Sequence, residues 1–377
     1  MSNAIKFDAF VSLDEARKAI MLYGPNIAPI LISEPGIGKT TQLTQIAMEN
    51  NDKWRKPGDY FPTDKYTYHY LDWPTYDVSD LFYRIPDKET MTLKPFFTDL
   101  MEMDDPRPKI VMVDEWMKNP IKQMQVAGTR FILDKVLADK YLPDGSIIFG
   151  TANNVSDGVG DVVMAHGGNR VMFLYVLKPN NVQWSRWALE NGMPELAAWA
   201  AMTPQAFYSY KTCHEKDLEG AMFFIPGRGM VTFGSPRSYA KCHTIIRNSV
   251  VAGDNLTRAA LYGTVGPAAG ESILAFLALR DDLHSYDDIR ANPETTPVPE
   301  KFAALMMMTF FCLDRIETQD DLSAVIQYLD RANSSELMSL FFAMTAKTSK
   351  LTKLARNNKR FQSWMMTNKN HELLGKL

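Results

Sequence analysis

The chain has 377 residues, 46% of them hydrophobic and 23% charged, with a formal net charge of −3 at pH 7. This is an ordinary composition for a globular protein with room for about two domains and a sizeable core, and it gives no overall pull toward nucleic acid or a membrane. Cys213, Cys242 and Cys312 are far apart and form no CxxC pair, which suits a reducing compartment and speaks against a disulfide framework or a zinc finger. The first ten residues carry no basic region leading into an apolar run, so no secretory signal is expected. The longest apolar stretch, residues 302–313, is too short to span a bilayer and reads as a buried helix. The expected location is cytoplasmic.

In chain order, residues 12–22 (SLDEARKAIML) read as an N-capped helix. Pro29 and Ile30-Leu31-Ile32 read as the end of a short buried strand. The turn Glu34-Pro35-Gly36-Ile37-Gly38 follows, and Lys39-Thr40-Thr41 opens a helix carrying Leu43, Ile46 and Ala47 at helical spacing. Strand, glycine-bearing loop, Lys-Thr and helix together form a cradle for the phosphates of a nucleotide. Backbone N–H groups of the loop and of the helix N-terminus point at the anion, where the helix dipole favours negative charge. In that cradle Lys39 reaches the β- and γ-phosphates and the Thr40 hydroxyl ligates Mg²⁺. Ser33 stands where the GxxxxGKS/T pattern has its first glycine.

A second strand is expected over residues 66–71, ending in Asp72-Trp73-Pro74 and a polar turn through Leu81. Residues 109–120 (KIVMVDEWMKNP) place four consecutive apolar residues before Asp114-Glu115, the pattern of a central parallel strand with two acids at its carboxyl end. Ligands of open α/β sheets bind at those ends. Asp114 would hold Mg²⁺ and Glu115 would orient or deprotonate an attacking water. A helix from Pro120 to about Leu137 and a turn at 142–145 lead to the strand Ser146-Ile147-Ile148-Phe149, which ends in Gly150-Thr151-Ala152-Asn153-Asn154. This strand should lie beside both the loop strand and the acid strand, where Asn153 would hydrogen-bond the water or the γ-phosphate. A loop over 155–168 runs into Asn169-Arg170 and a fifth strand at 171–176.

Beyond Pro179 the pattern is almost wholly helical. Trp184, Trp187 and Ala188, and then Leu196, Trp199 and Ala200, read as core stripes. Ser235 reads as an N-cap with Pro236 at the first helical position, which puts Arg237 in the first turn. Three or four helices follow from about residue 300. The last 31 residues carry eight Lys or Arg against one acid, Glu372, and an apolar stripe of Leu351, Leu354, Phe361, Trp364 and Met365. That stripe suits a docked helix with a solvated basic face; an acidic partner or nucleic acid is the other reading.

With Lys39-Thr40, Asp114-Glu115, Asn153, Arg170 and Arg237 in that order, the chain resembles an AAA+ ATPase over roughly residues 12–250, and more narrowly the MoxR group. SEPGIGKT resembles the Walker A loop, IVMVDE Walker B, FGTANN the sensor-1 strand, GGNRVMFL the segment supplying an arginine to a neighbouring subunit, and GSPRSY the sensor-2 helix start. Asn154 stands where a Pro or Arg is more usual, and the short turn at 138–145 speaks against a long hairpin there. The resemblance implies an α/β AAA+ core of the P-loop NTPase type with a five-stranded parallel sheet over 1–178, a helical lid over 179–297 and a C-terminal helical region over 298–377. It implies ATP with Mg²⁺, with Glu115, Asn153, Arg170 and Arg237 as the catalytic set. An arginine placed after the sensor strand faces away from its own loop, so Arg170 would act on a neighbouring subunit's nucleotide; Arg228, in the turn at 227–229, is the reserve for that role. The family forms homo-oligomeric rings, most often hexamers, and does chaperone-like work, often on proteins carrying a von Willebrand factor A domain. A DNA-linked AAA+ motor or loader, which the basic tail would suit, and a small-molecule kinase, for which no acceptor site is identifiable, stay open as other readings.

Overall fold

The computed structural model describes residues 9–50, 65–153, 170–211, 213–214, 218–229 and 231–367. The backbone divides into two units, Met1–Lys178 with Pro226–Gly229, and Pro179–Ile225 with Met230–Leu377. In the first unit the strands are β1 (Ala28–Ser33), β2 (Thr67–Asp72), β3 (Phe82–Asp87), β4 (Thr92–Phe97), β5 (Lys109–Asp114), β6 (Val136–Leu137), β7 (Lys140–Tyr141), β8 (Ile147–Asn153) and β9 (Val171–Tyr175). Its helices are α1 (Leu13–Tyr23), α2 (Thr41–Glu49), α3 (Val78–Leu81) and α4 (Lys122–Asp134).

Five strands form one parallel sheet in the order β2-β5-β8-β1-β9. The sheet is covered on both faces, which is why its central strands read as unbroken apolar runs. Side chains alternate between those faces. Ile30, Ile32, Val111 and Val113 pack on one side with Trp73, Trp116 and Phe131. Leu31, Ile110, Met112 and Phe149 pack on the other with Ile37, Leu43 and Ile46. As expected, β8 lies between β1 and β5. The register sets Asp72 opposite Asp114 and Ser33 opposite Asn153, so the carboxyl ends of four strands meet along one edge.

The N-cap expected before the first strand is a full capping box. The Glu15 N–H donates to Ser12 Oγ at 3.2 Å, and the Ser12 N–H donates back to the Glu15 carboxylate at 2.8 Å. Helix α4 stops at Asp134, earlier than the pattern suggested, because Lys135 turns left-handed at φ 54°. The β6–β7 hairpin that follows has only two residues per strand, in keeping with the short turn. Residues 82–97 carry no clear strand pattern, yet they form the antiparallel hairpin β3–β4. Pro86 and Pro95 interrupt the alternation there, and a two-stranded ribbon tolerates them because each strand keeps an unpaired edge.

The second unit is helical among its described residues: α5 (Asn181–Glu190), α6 (Pro194–Met202), α7 (Pro236–Arg247), α8 (Ser249–Val265), α9 (Pro267–Leu277), α10 (Tyr286–Ala291), α11 (Phe302–Arg315), α12 (Gln319–Asp330), α13 (Ser335–Lys347), α14 (Ser349–Asn357) and α15 (Lys359–Thr367). The segments expected as a lid and as a C-terminal region share one core. It runs from Trp184, Trp199 and Tyr239 through Met307 and Phe310 to Leu351, Ala355 and Phe361. The tail's apolar stripe is therefore docked, and Lys347, Lys350, Lys353, Arg356, Lys359 and Arg360 are exposed. The Met365 side chain, Lys369, Glu372 and Lys376 lie outside the described residues.

Gly234 has no room for a side chain. A Cβ there would lie 1.8 Å from the Met222 carbonyl oxygen and 2.1 Å from the Tyr239 hydroxyl, which itself donates to that carbonyl at 2.7 Å. Gly234→Ala is expected to destabilise the helical unit by about 3 kcal/mol, the upper end of the usual overpacking cost. The urea midpoint of the full chain checks this, and an unchanged midpoint would refute it.

Candidate functional site

The loop after β1 depends on two glycines. Gly36 at φ 74° and Gly38 at φ 109° occupy backbone conformations that side chains disfavour. They let the chain turn sharply into α2, whose N-cap, Thr40, makes no side-chain cap. The Thr41 hydroxyl donates to the Gly38 carbonyl at 2.7 Å and closes the turn.

Lys39 folds back beneath this loop and is only 8% exposed. Its ammonium donates to Ser33 Oγ at 2.8 Å and to Asn153 Oδ1 at 2.9 Å, with the Ser33 and Glu34 carbonyls each at 3.4 Å. Ser33, standing at the missing glycine, thus has a use: its hydroxyl accepts from Lys39 and donates to the Glu34 carbonyl at 2.9 Å. Asn153 spans two elements, since its Nδ2 donates to Glu115 Oε1 at 3.0 Å. Lys118 Nζ lies 2.8 Å from the same oxygen.

Asp114 is held from three sides. Tyr70 on β2 donates its hydroxyl to Oδ2 at 2.9 Å, Thr151 on β8 donates to Oδ1, and Thr40 Oγ1 stands 3.5 Å from Oδ2. Thr40 and Asp114 therefore offer two hard oxygen donors at one point, the chemistry that suits Mg²⁺ when substrate and water complete its shell. No group of three His, Cys, Asp or Glu able to hold a metal exists among the described residues. Asp72 ends β2 beside these acids; burial first, then the charges of Asp114 and Glu115, raise its carboxyl above the usual range.

The loop residues Glu34 to Thr41 and the side chains of Asp114, Glu115 and Asn153 thus come together at one edge of the sheet. Arg170 does not join them. It is exposed and immediately precedes β9, whose Val171 pairs with Ala28, so it stands roughly 20 Å of strand from the loop after Ser33. Arg228 is exposed between Gly227 (φ 77°) and Gly229 (φ 59°), in the short stretch that groups with the first unit. Arg237 is exposed in the first turn of α7 in the second unit, after the expected cap: Ser235 Oγ accepts the Ser238 N–H at 3.2 Å. Asn154 and the loop through Asn169 lie outside the described residues. Sequence reasoning passed over Ser33 as a lysine partner, Tyr70, Asp72, Lys118 and Thr151. Period-two alternation was the available signal for Thr151, which shares a face of β8 with Asn153.

No family model matches the chain, and no curated protein matches it in sequence. Among solved structures it is similar to a candidate ATPase of Cytophaga hutchinsonii at 16% identity and a TM-score of 0.28, covering 45% of this chain and 47% of that one, about half its length. It is also similar to RuvB, the Holliday junction branch migration motor of Thermotoga maritima (15% identity, TM-score 0.34, 74% of this chain and 72% of that one). NtrX of Brucella abortus in complex with ADP is a third (13% identity, TM-score 0.37, 91% and 70%). These likenesses are loose, and the chemistry of the site rests on the residues described above.

Asn153→Ala would unlink the lysine from the acid while leaving the loop in place. For a nucleotide-hydrolysing site, turnover is expected to fall about a hundredfold, the scale of removing one preorganised donor, with nucleotide affinity changed less than about tenfold. Steady-state hydrolysis beside fluorescent-nucleotide titration separates the two, and equal losses in both would count against the bridging role.

Proposed function

We propose that the chain is an AAA+ ATPase of the MoxR-like group, hydrolysing ATP at subunit interfaces of a ring and using the work to remodel or assemble a protein partner. The observation that carries this reading is the connected set Lys39–Asn153–Glu115, which joins a phosphate loop, a sensor position and an acid in one hydrogen-bonded path. A solvated strand end has no reason to bury a lysine against that asparagine.

In this reading Lys39 exchanges its contact with Ser33 for phosphate oxygens, so the loop hydroxyl keeps the place of the anion until the nucleotide arrives. Thr40 and Asp114 hold Mg²⁺, which when bound supplies neutralisation of charge on the phosphates. Glu115 orients or deprotonates the attacking water, and Asn153, touching both Lys39 and Glu115, makes the acid's position depend on what the lysine holds. Arg170, far along the sheet from its own loop, acts on the neighbouring subunit's nucleotide, and head-to-tail contacts of that kind close into a ring, taken here as a hexamer. Arg237 takes the sensor-2 role in this reading, and the change on hydrolysis passes to a client such as a von Willebrand factor A domain protein. One observation favours a DNA-linked motor as the second reading: the exposed basic face of α14 and α15.

Lys39→Ala is expected to lose nucleotide binding, whereas Glu115→Gln should keep it and stop turnover. Binding titrations beside phosphate-release assays distinguish the two, and wild-type turnover by the Gln variant would remove Glu115 from the mechanism.

Arg170→Ala should bind ATP normally and hydrolyse it about 10³-fold more slowly, the usual worth of an arginine supplied in trans. Mixed with Lys39→Ala it should regain activity, because the two lesions lie on opposite sides of an interface. Absence of recovery on mixing argues against action in trans, whereas wild-type turnover by Arg170→Ala passes the role to Arg228.

A further inference from the structure

Thr151 is fully buried on β8, one step beyond the pairing of Gly150 with Val113 and therefore beside the junction of Asp114 and Glu115. One oxygen serves both acids. The Thr151 hydroxyl donates its proton to Asp114 Oδ1 and accepts the Glu115 backbone N–H at 3.1 Å. A hydroxyl can do both, because its single oxygen is a good donor and a good acceptor at once.

The backbone explains why such a brace is needed. Glu115 is left-handed at φ 50°, a region that a residue with a long side chain enters only when its surroundings hold it there. That turn parts two adjacent carboxylates. Asp114 faces Tyr70 and Thr40, while Glu115 faces Asn153 and Lys118. The Glu115 amide held by Thr151 sits at the pivot of the divergence.

We infer that Thr151 is a positioning residue, whose hydroxyl sets the angle between the metal-holding and water-orienting carboxylates. The inference rests on the ATPase reading above. Thr151 touches neither nucleotide nor water in this scheme and acts through the two acids. Without its hydroxyl, Asp114 loses a donor and the Glu115 N–H loses its acceptor, so the turn can relax toward an ordinary strand.

The test compares the wild-type full chain with Thr151→Val, which keeps the shape without the hydroxyl, and Thr151→Ser, which keeps the hydroxyl without the methyl. For Thr151→Val, kcat is expected to fall about a hundredfold, the scale of losing roughly 1 Å of alignment, with KM for ATP within about threefold of wild type. Thr151→Ser should stay within about threefold in both. Hydrogen exchange of the backbone around Glu115, read without nucleotide, should be faster than wild type in the Val variant and unchanged in the Ser variant. Should the Val variant melt below the assay temperature, Thr151→Ala replaces it with the same expectations. Wild-type kcat in a hydroxyl-free variant, equal loss in the Ser variant, or unchanged exchange at Glu115 would each overturn the inference while leaving the ATPase reading intact. A wild-type chain that neither binds nor hydrolyses ATP would overturn both.

Discussion

The ammonium of Lys39, buried beneath the loop, is the constraint on which the rest of the site depends. A charge taken out of water is tolerated only where several acceptors replace its hydration. Here those acceptors are Ser33 on the loop strand, two backbone carbonyls and Asn153 at the end of β8. Satisfying one charge thus ties together two neighbouring strands that are distant in sequence. Because Asn153 has an amide, its carbonyl takes the lysine and its NH₂ group remains to meet Glu115.

The same logic runs through the acids. Asp72, Asp114 and Glu115 crowd one edge of the sheet, and such a group stays in register only if donors separate its members. Tyr70, Thr151, Asn153 and Lys118 provide those donors from the strands on either side and from the turn after β5. The parallel register makes this possible, because it brings every strand's carboxyl end to the same level. The left-handed turn at Glu115 is a local cost that keeps adjacent side chains apart.

The helical unit is held by a different device, a single large core with an aromatic cluster at one part. Trp199 and Tyr239 lie 5.0 Å apart between ring centres, and Phe207 lies 5.3 Å from Tyr239. Gly234 and the Tyr239 hydroxyl meet within that packing, beside the start of the helix bearing Arg237. The position of that arginine on its helix therefore depends on close packing as well as on the Ser235 cap.

By itself the sequence determined the glycine-bearing loop between β1 and α2, the order of the parallel strands' motifs, the acid pair and the capped helix starts. Each of these is a local pattern: glycines where the backbone turns left-handed, apolar runs where a strand is covered on both faces, a Ser three residues before its bonding partner. Asn153 was legible as a neighbour of both the loop and the acids because a strand read beside both β1 and β5 delivers its last side chains between them. Only tertiary structure decided what Ser33, Tyr70, Lys118 and Thr151 do, since a hydroxyl or an amine in a sequence carries no sign of its partner across a sheet. It also decided that residues 82–97 pair as a hairpin despite two prolines, and that the two helical stretches share one core. The physical reason is common to all of these: periodicity along a chain reports which face a residue is on, while hydrogen bonds between strands depend on register, which exists only after the strands have paired.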